Sequence, residues 1–181
     1  LTNNGTIDVT SGNTLRVEGQ LVNAAGSTID NHGSGRIVAA GGILNAGTIL
    51  NRDNARIVSE GIAAVRQQSG GTLRVTGGAI VNDGGGYALL QEGAMTPAQA
   101  RSILSAAGTD AFRSKTGNVF GAVDSAGVYT SVTPEGYSPR LQSDGYYAIR
   151  QGGTSSRPQG GGGGGGTVYL PSTYTLTFDP N

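Results

Sequence analysis

The first half of this chain repeats a short pattern of aliphatic, Asn, Gly and Thr residues about every twenty residues. Asn4-Gly5-Thr6-Ile7 recurs as Gly26-Ser27-Thr28-Ile29 and again as Gly47-Thr48-Ile49. The isoleucines that end these stretches are 22 and 20 positions apart. β-Branched residues that return at such a period, separated by turn-forming residues, are typical of a β-solenoid. The repeat therefore predicts a long, stiff surface, which favours a binding or building role over a catalytic one.

Turns that stack in register place equivalent residues in columns along the solenoid axis. We expect Ile7, Ile29 and Ile49 to form one interior column. The valines of the recurring aliphatic tripeptides are expected to form another: Val17, Val38, Val58 and Val75. The asparagines near the start of each turn predict a ladder of side-chain amides: Asn3, Asn23, Asn45 and Asn82. Residues 62–65 lack the pattern, so we expect the last turn to be an insertion site or the end of the solenoid.

A helix is expected after the repeats. Thr96 is a suitable N-cap, Pro97 suits the first helical position, and Gly108 suits the position that ends a helix. The small apolar residues between them recur at helical spacing: Ala100, Ile103, Leu104 and Ala107. So short a helix needs a packing partner, and we expect it to cap the end of the solenoid.

The predicted fold class is therefore mainly β: a β-solenoid of about four turns, one short capping helix and a small C-terminal antiparallel β unit. Turn signals at residues 124–127, 135–136 and 144–145 support the antiparallel unit. The predicted segments follow one another as a solenoid at 1–88, a helical cap at 89–110, an antiparallel β unit at 111–152, a Ser/Pro/Gly-rich linker at 153–166 and a strand segment at 167–181.

Composition excludes several classes of function. The chain has 12 Lys and Arg residues against 12 Asp and Glu residues, so it has no net field to attract nucleic acid. It has no cysteine, which excludes disulfides, thiolate metal sites and cysteine nucleophiles. No apolar run reaches the roughly 18 residues of a membrane span. We expect neither a nucleic-acid partner nor insertion into a membrane.

Residues able to carry chemistry are few. His32 is the only histidine and lies in an Asn-His-Gly turn, where a solvated side chain is the expected state. Asp8, Asp30 and Asp53 would share one face if the turns stack in register, and such a row could bind Ca²⁺. The calcium-binding nonapeptide pattern is absent, however, and solvated loops are the favoured interpretation. The sequence predicts no catalytic residue, no cofactor and no metal ligand, so we expect the protein not to be an enzyme.

Arginines recur beside the aliphatic tripeptides, at Arg16, Arg36, Arg56 and Arg74. They could line up as a basic stripe for acidic or sulfated glycans. The favoured alternative is that each pairs with a nearby acid such as Glu18 or Glu60.

The C-terminal segment alternates polar and apolar residues beyond a run of glycines. An alternating strand with a free edge can join another chain, since it gains backbone bonds and apolar burial together. The residues predicted to contact a partner are Val168, Tyr169, Leu170, Tyr174, Leu176 and Phe178. The alternative is that this tail folds back onto the chain's own hairpin region at 118–150.

The repeat pattern, as in residues 1–7, resembles the β-solenoid regions of bacterial haemagglutinin-like and autotransporter adhesins, and those of phage tail fibres and spikes. Residues 95–108, with Thr-Pro-Ala-Gln-Ala-Arg leading into Ala-Ala-Gly, are similar to segments of phage side tail fibres. This resemblance implies a non-enzymatic virion surface protein: a tail fibre, a spike or a head decoration protein. It also implies an oligomer, most commonly a trimer, with other virion proteins and a cell-surface glycan as partners. The alternatives are a fragment of an adhesin on the bacterial cell surface and a polysaccharide-depolymerising spike.

Overall fold

A computed structural model describes residues 1–152 of the chain, and these residues form a β-solenoid of about four turns with a period near 22. The first turn contains β1 (Thr2–Asn3), β2 (Thr6–Val9) and β3 (Thr14–Val17). The second contains β4 (Leu21–Asn23), β5 (Thr28–Asn31) and β6 (Arg36–Ala39). In the third and fourth turns the second and third strands merge: β7 (Ile43–Asn45) leads into β8 (Thr48–Ser59), and β9 (Ala63–Gln67) into β10 (Thr72–Asn82). The predicted fold class is confirmed.

Successive turns pair in parallel along three faces. The first face stacks β1, β4, β7 and β9, and the second stacks β2, β5 and the first halves of β8 and β10. The third stacks β3, β6 and the second halves of β8 and β10. Because alternate side chains of a strand point to opposite sides of its sheet, each face sends one set of side chains into the solenoid and another outward.

The isoleucine column is confirmed. Ile7 pairs with Ile29, Ile29 with Ile49, and Ile49 with Leu73. Ile29 and Ile49 are fully buried, whereas Ile7 is half-buried because it belongs to the first turn and has a described neighbour on one side only. The other two faces contribute interior columns of their own. These comprise Leu15, Ile37, Ile57 and Ile80 on the third face, and Leu21, Ile43 and Val65 on the first.

The predicted valine column is wrong as a single column. Val38 and Val58 do pair, but the residue aligned with Val38 in the first turn is Arg16, because Val17 aligns with Ala39. Val75 lies on the second face, aligned with Asn51. A slip of one residue exchanges the inner and outer faces of a strand, so Val38 and Val58 belong to the outer side of the third face. The fourth turn is also more regular than expected, since residues 63–67 form β9 in register with β7.

The asparagine ladder is confirmed for three of its four members. Asn3 Nδ2 donates to Asn23 Oδ1 at 2.8 Å, and Asn23 Nδ2 donates to Asn45 Oδ1 at 2.7 Å. Asn45 Nδ2 then donates to Gln67 Oε1 at 2.9 Å, so Gln67 takes the place that was expected for Asn82. Each of the three Nδ2 groups also donates to a backbone carbonyl of the next turn. The ladder thus pairs buried amides that would otherwise be costly to bury.

Asn82 belongs to a different corner, aligned with Ser59 in the turn before and Ser114 in the turn after. Its Nδ2 donates to the carbonyl of Gly61, and its Oδ1 accepts from the backbone of Gly84 and Gly86. A second amide ladder, missed from the sequence, runs from Asn31 Nδ2 to Asn51 Oδ1 at 2.8 Å.

The parallel stack continues past residue 88 and is then closed by antiparallel strands. β11 (Tyr87–Glu92), β12 (Phe112–Ser114) and β13 (Phe120–Val123) add to the first and third faces, so the solenoid passes the boundary expected from the sequence. Between them lies α1 (Pro97–Ala107), beside the second face. β14 (Tyr129–Val132) pairs antiparallel with β13, and β16 (Tyr147–Gln151) pairs antiparallel with both β12 and β15 (Tyr137–Leu141).

Helix α1 begins and ends where expected. Thr96 Oγ1 accepts from the backbone of Gln99, and the Gln99 side chain accepts from the backbone of Thr96, which forms a capping box. Ala100 and Leu104 are fully buried against the core, and Ile103 and Ala107 pack against it in part. Within residues 1–152 no helix has the length and apolar character needed to cross a membrane.

We expect Ile29→Asp to unfold the solenoid. The side chain is fully buried in the middle of its column, and an unpaired buried charge costs about 3–5 kcal/mol. Thermal and urea denaturation followed by circular dichroism measure the loss. Thr6→Asp, at an exposed position of β2, is the control and should change the free energy of unfolding by less than about 0.5 kcal/mol. A cooperative melt of Ile29→Asp near the parent temperature would contradict the column.

We expect Asn23→Ala to lower the free energy of unfolding by about 2 kcal/mol, because it leaves Asn45 Oδ1 buried without its donor. The matched control is Asn13→Ala, which removes an exposed amide bonded to Thr10 and should cost less than about 0.5 kcal/mol. Equal losses in urea denaturation would show that the buried ladder contributes no more than a surface bond.

Candidate functional site

The second face brings together residues that the sequence predicts to be solvated. His32 Nε2 lies 3.0 Å from Asp8 Oδ1, although the two residues are 24 positions apart. Asp8 and Asp30 are aligned in neighbouring turns. One ligand atom each of Asp8, Asp30 and His32 falls within 4.8 Å of the others. His32 is therefore paired rather than simply solvated, and only the stacking of turns could reveal this.

Arg52 binds one of the carboxylates of this cluster. Arg52 Nε and Nη2 donate to the two carboxylate oxygens of Asp30, at 3.1 Å and 2.6 Å. These hydrogen bonds raise the pKa of Arg52 above its ordinary value. Asp53 does not join this cluster, because its carboxylate accepts a hydrogen bond from the backbone N–H of Gly33 at 2.9 Å. Its backbone φ is 59°. A cation held by Asp8, Asp30 and His32 would have to displace Arg52 from Asp30, so the arrangement is best described as an ion-pair network.

The outer side of the third face carries a different set of residues, in three columns set by strand register. The first aligns Thr14, Arg36, Arg56 and Ala79. The second aligns Arg16, Val38, Val58, Val81 and Arg113. The third lies at the following corner and contains the acidic residues Glu18, Glu60 and Asp83. The four-arginine stripe, the less favoured of the two interpretations, is not formed. Arg36 and Arg56 stack, Arg16 lies one column away, and Arg74 lies on the second face, aligned with Leu50.

These columns enclose a groove of about 340 Å³, which we call the third-face groove. Arg16, Arg36, Glu18, Glu60 and Asp83 are its charged lining residues. Its apolar lining comes from Val38 and Ala40, which are half-buried, and from Val58, which is buried. Arg16 Nε contacts Glu18 Oε1 at 2.8 Å, and both side chains are largely exposed. The favoured pairing of arginines with nearby acids thus holds for Arg16.

The antiparallel cap contacts Asp83, one of the acidic residues that line the groove. Tyr146, from the loop before β16, donates its hydroxyl to Asp83 Oδ1 at 2.6 Å. Lys115 Nζ lies 3.6 Å from the same oxygen and 4.2 Å from the centre of the Tyr146 ring. Arg113 contacts Asp144 at 2.7 Å beside them. The hydrogen bond to Asp83, with a smaller contribution from burial, raises the pKa of Tyr146 above its ordinary value.

The residues predicted to contact a partner chain, Val168 to Phe178, lie outside the described residues, as does the glycine-rich linker. Comparison of the chain with protein-family models, with curated proteins and with solved structures finds no match.

The Tyr146–Asp83 bond predicts a pH dependence of stability. Because the folded state raises the pKa of Tyr146, its contribution is complete below the unfolded pKa of about 10 and is lost as pH rises through the folded value. We therefore expect Tyr146→Phe to melt at a lower temperature than the parent near pH 8. The difference should narrow steadily as the pH is raised beyond about 10. A difference that stays constant across this range would show that the hydroxyl does not act through its protonated form.

Proposed function

We propose that this chain is a non-enzymatic structural and attachment protein on the surface of a phage particle: a tail fibre, a spike or a head decoration protein. The observation that carries the proposal is the continuous register of the solenoid. The first four turns are bonded to one another along three faces. A buried amide ladder runs through one corner, and a buried Asn31–Asn51 bond lies at another. A rod cross-linked in this way is stiff along its axis, which suits display of a surface at a distance from its attachment point.

The closed end also supports this role. Open solenoid ends expose strand edges, and such edges pair with other chains without specificity. Here α1 and the antiparallel strands β14 and β16 occupy one end of the parallel stack. Terminal caps of this kind restrict association at the end of a repeat protein, and so favour specific contacts through the sides and the C-terminal segment.

The assembly that we propose is a homotrimer joined through Val168, Tyr169, Leu170, Tyr174, Leu176 and Phe178. Light scattering coupled to size-exclusion chromatography tests it on the full chain and on a variant lacking residues 160–181. We expect a trimer for the full chain and a folded monomer for the shortened one, with an unchanged melting temperature for the solenoid. A full chain that is monomeric at high concentration would contradict the assembly, and an oligomer that survives the deletion would contradict the role of the tail.

The absence of enzymatic activity is tested separately. Capsular and lipopolysaccharide preparations incubated with the full chain should release no reducing ends above buffer. The third-face groove contains three carboxylates, so Glu60→Gln is the informative variant if release is seen. Sustained release by the parent that is abolished by Glu60→Gln would replace the proposal with a polysaccharide-cleaving spike.

A further inference from the structure

Two arginines of the third face are stacked without an acidic partner. Arg36 and Arg56 are aligned in neighbouring turns and both are exposed. Within residues 1–152 neither forms an ion pair, whereas Arg16, Arg52 and Arg113 each contact a carboxylate. Neighbouring strands are about 4.8 Å apart, so two positive side chains project from the same surface at close range.

This arrangement is unfavourable for the protein alone. Like charges directly opposite each other on paired strands destabilise a sheet. An anion placed between two guanidinium groups would remove the repulsion and accept several hydrogen bonds, because each guanidinium presents a planar fork of donors that matches a carboxylate or sulfate. The pair is therefore a preorganised place for one negative group of a ligand.

Arg36 lines the third-face groove, and Arg56 lies next to it in the same column, outside that lining. The rest of the groove indicates what that ligand is. Val38, Ala40 and Val58 provide an apolar surface beside Arg36, suited to the C–H face of a ring. Glu18, Glu60 and Asp83 provide oxygens that accept hydrogen bonds from hydroxyl groups. Their negative charge also disfavours a polyanion with closely spaced phosphates, such as nucleic acid. A volume of about 340 Å³ suits one or two sugar rings.

We propose that the third-face groove binds an acidic saccharide, with its carboxylate or sulfate on Arg36 and the neighbouring Arg56 and its hydroxyls on the acidic residues that line the groove. This inference deepens the proposed attachment role and rests on it for its biological setting. All the residues that line the groove belong to one chain.

Isothermal titration calorimetry of the full chain tests the proposal with four probes: a hyaluronan tetrasaccharide, a sulfated galactan tetrasaccharide, neutral maltotetraose and tetraglutamate. We expect one or both acidic saccharides to bind at least tenfold more tightly than maltotetraose. Comparison of hyaluronan, which carries carboxylates, with the sulfated galactan identifies the anionic group that is bound. Binding should weaken at higher salt. No binding of either acidic saccharide, or binding of tetraglutamate as tight as that of the sugars, would overturn the proposal.

Three variants test the site. The double variant carries both Arg36→Gln and Arg56→Gln, the single variant carries Arg56→Gln alone, and Arg74→Gln is the matched control. Arg74 is exposed and has no ion pair among the described residues, but it lies on the second face. The double variant should lose at least tenfold in affinity, the single variant less, and the control less than twofold. Because a repulsion is removed, the double variant should melt at or above the parent temperature. Unchanged affinity in the double variant would overturn the site, while the trimer measurement above would stand independently.

Discussion

Backbone hydrogen bonds between parallel strands of successive turns are the constraint on which the rest of this molecule depends. They align each residue with its counterpart in the turns above and below. The size and shape of a side chain are therefore restricted by the two residues that it packs against in its own column. Ile29, between Ile7 and Ile49, fills such a column with matching β-branched shapes. The core is therefore a set of columns rather than a single cluster, and a change at one position is felt along the axis.

The same alignment makes buried asparagine tolerable. An amide has both a donor and an acceptor, so Asn23 can accept from Asn3 below and donate to Asn45 above. Gln67 continues the sequence of bonds because its longer side chain still presents an amide. Where the chain bends between faces, glycine is needed because a Cβ would collide with the neighbouring turn. Gly42 has a φ of 80°, and a Cβ there would collide with the carbonyl oxygen of Ala63 in the next turn.

On the outer surface of the solenoid, the same alignment brings together side chains that do not stabilise each other. It places Arg36 beside Arg56, where the two charges repel, and it places Val38 and Val58 on the outer side of the third face, where they line the groove. The cap contributes from a distant part of the chain, since Tyr146 donates a hydrogen bond to Asp83, which lines the same groove. An unfavourable charge pair, an apolar strip and an acidic side thus meet on one surface, and this is why we assign a ligand to it.

The sequence by itself determined the solenoid, its period, the isoleucine column, three members of the asparagine ladder and the limits of helix α1. Each of these follows from local pattern: turn formers at a fixed interval, and capping residues at Thr96, Pro97 and Gly108. The tertiary structure alone decided which valines lie inside, because a one-residue slip in a tripeptide reverses the face and leaves the composition unchanged. It also decided the pairing of His32 with Asp8, the placement of Asn82 and the third-face groove. These depend on which residues of different turns become neighbours, and that is determined by turn length and strand register, which add up along the whole stack.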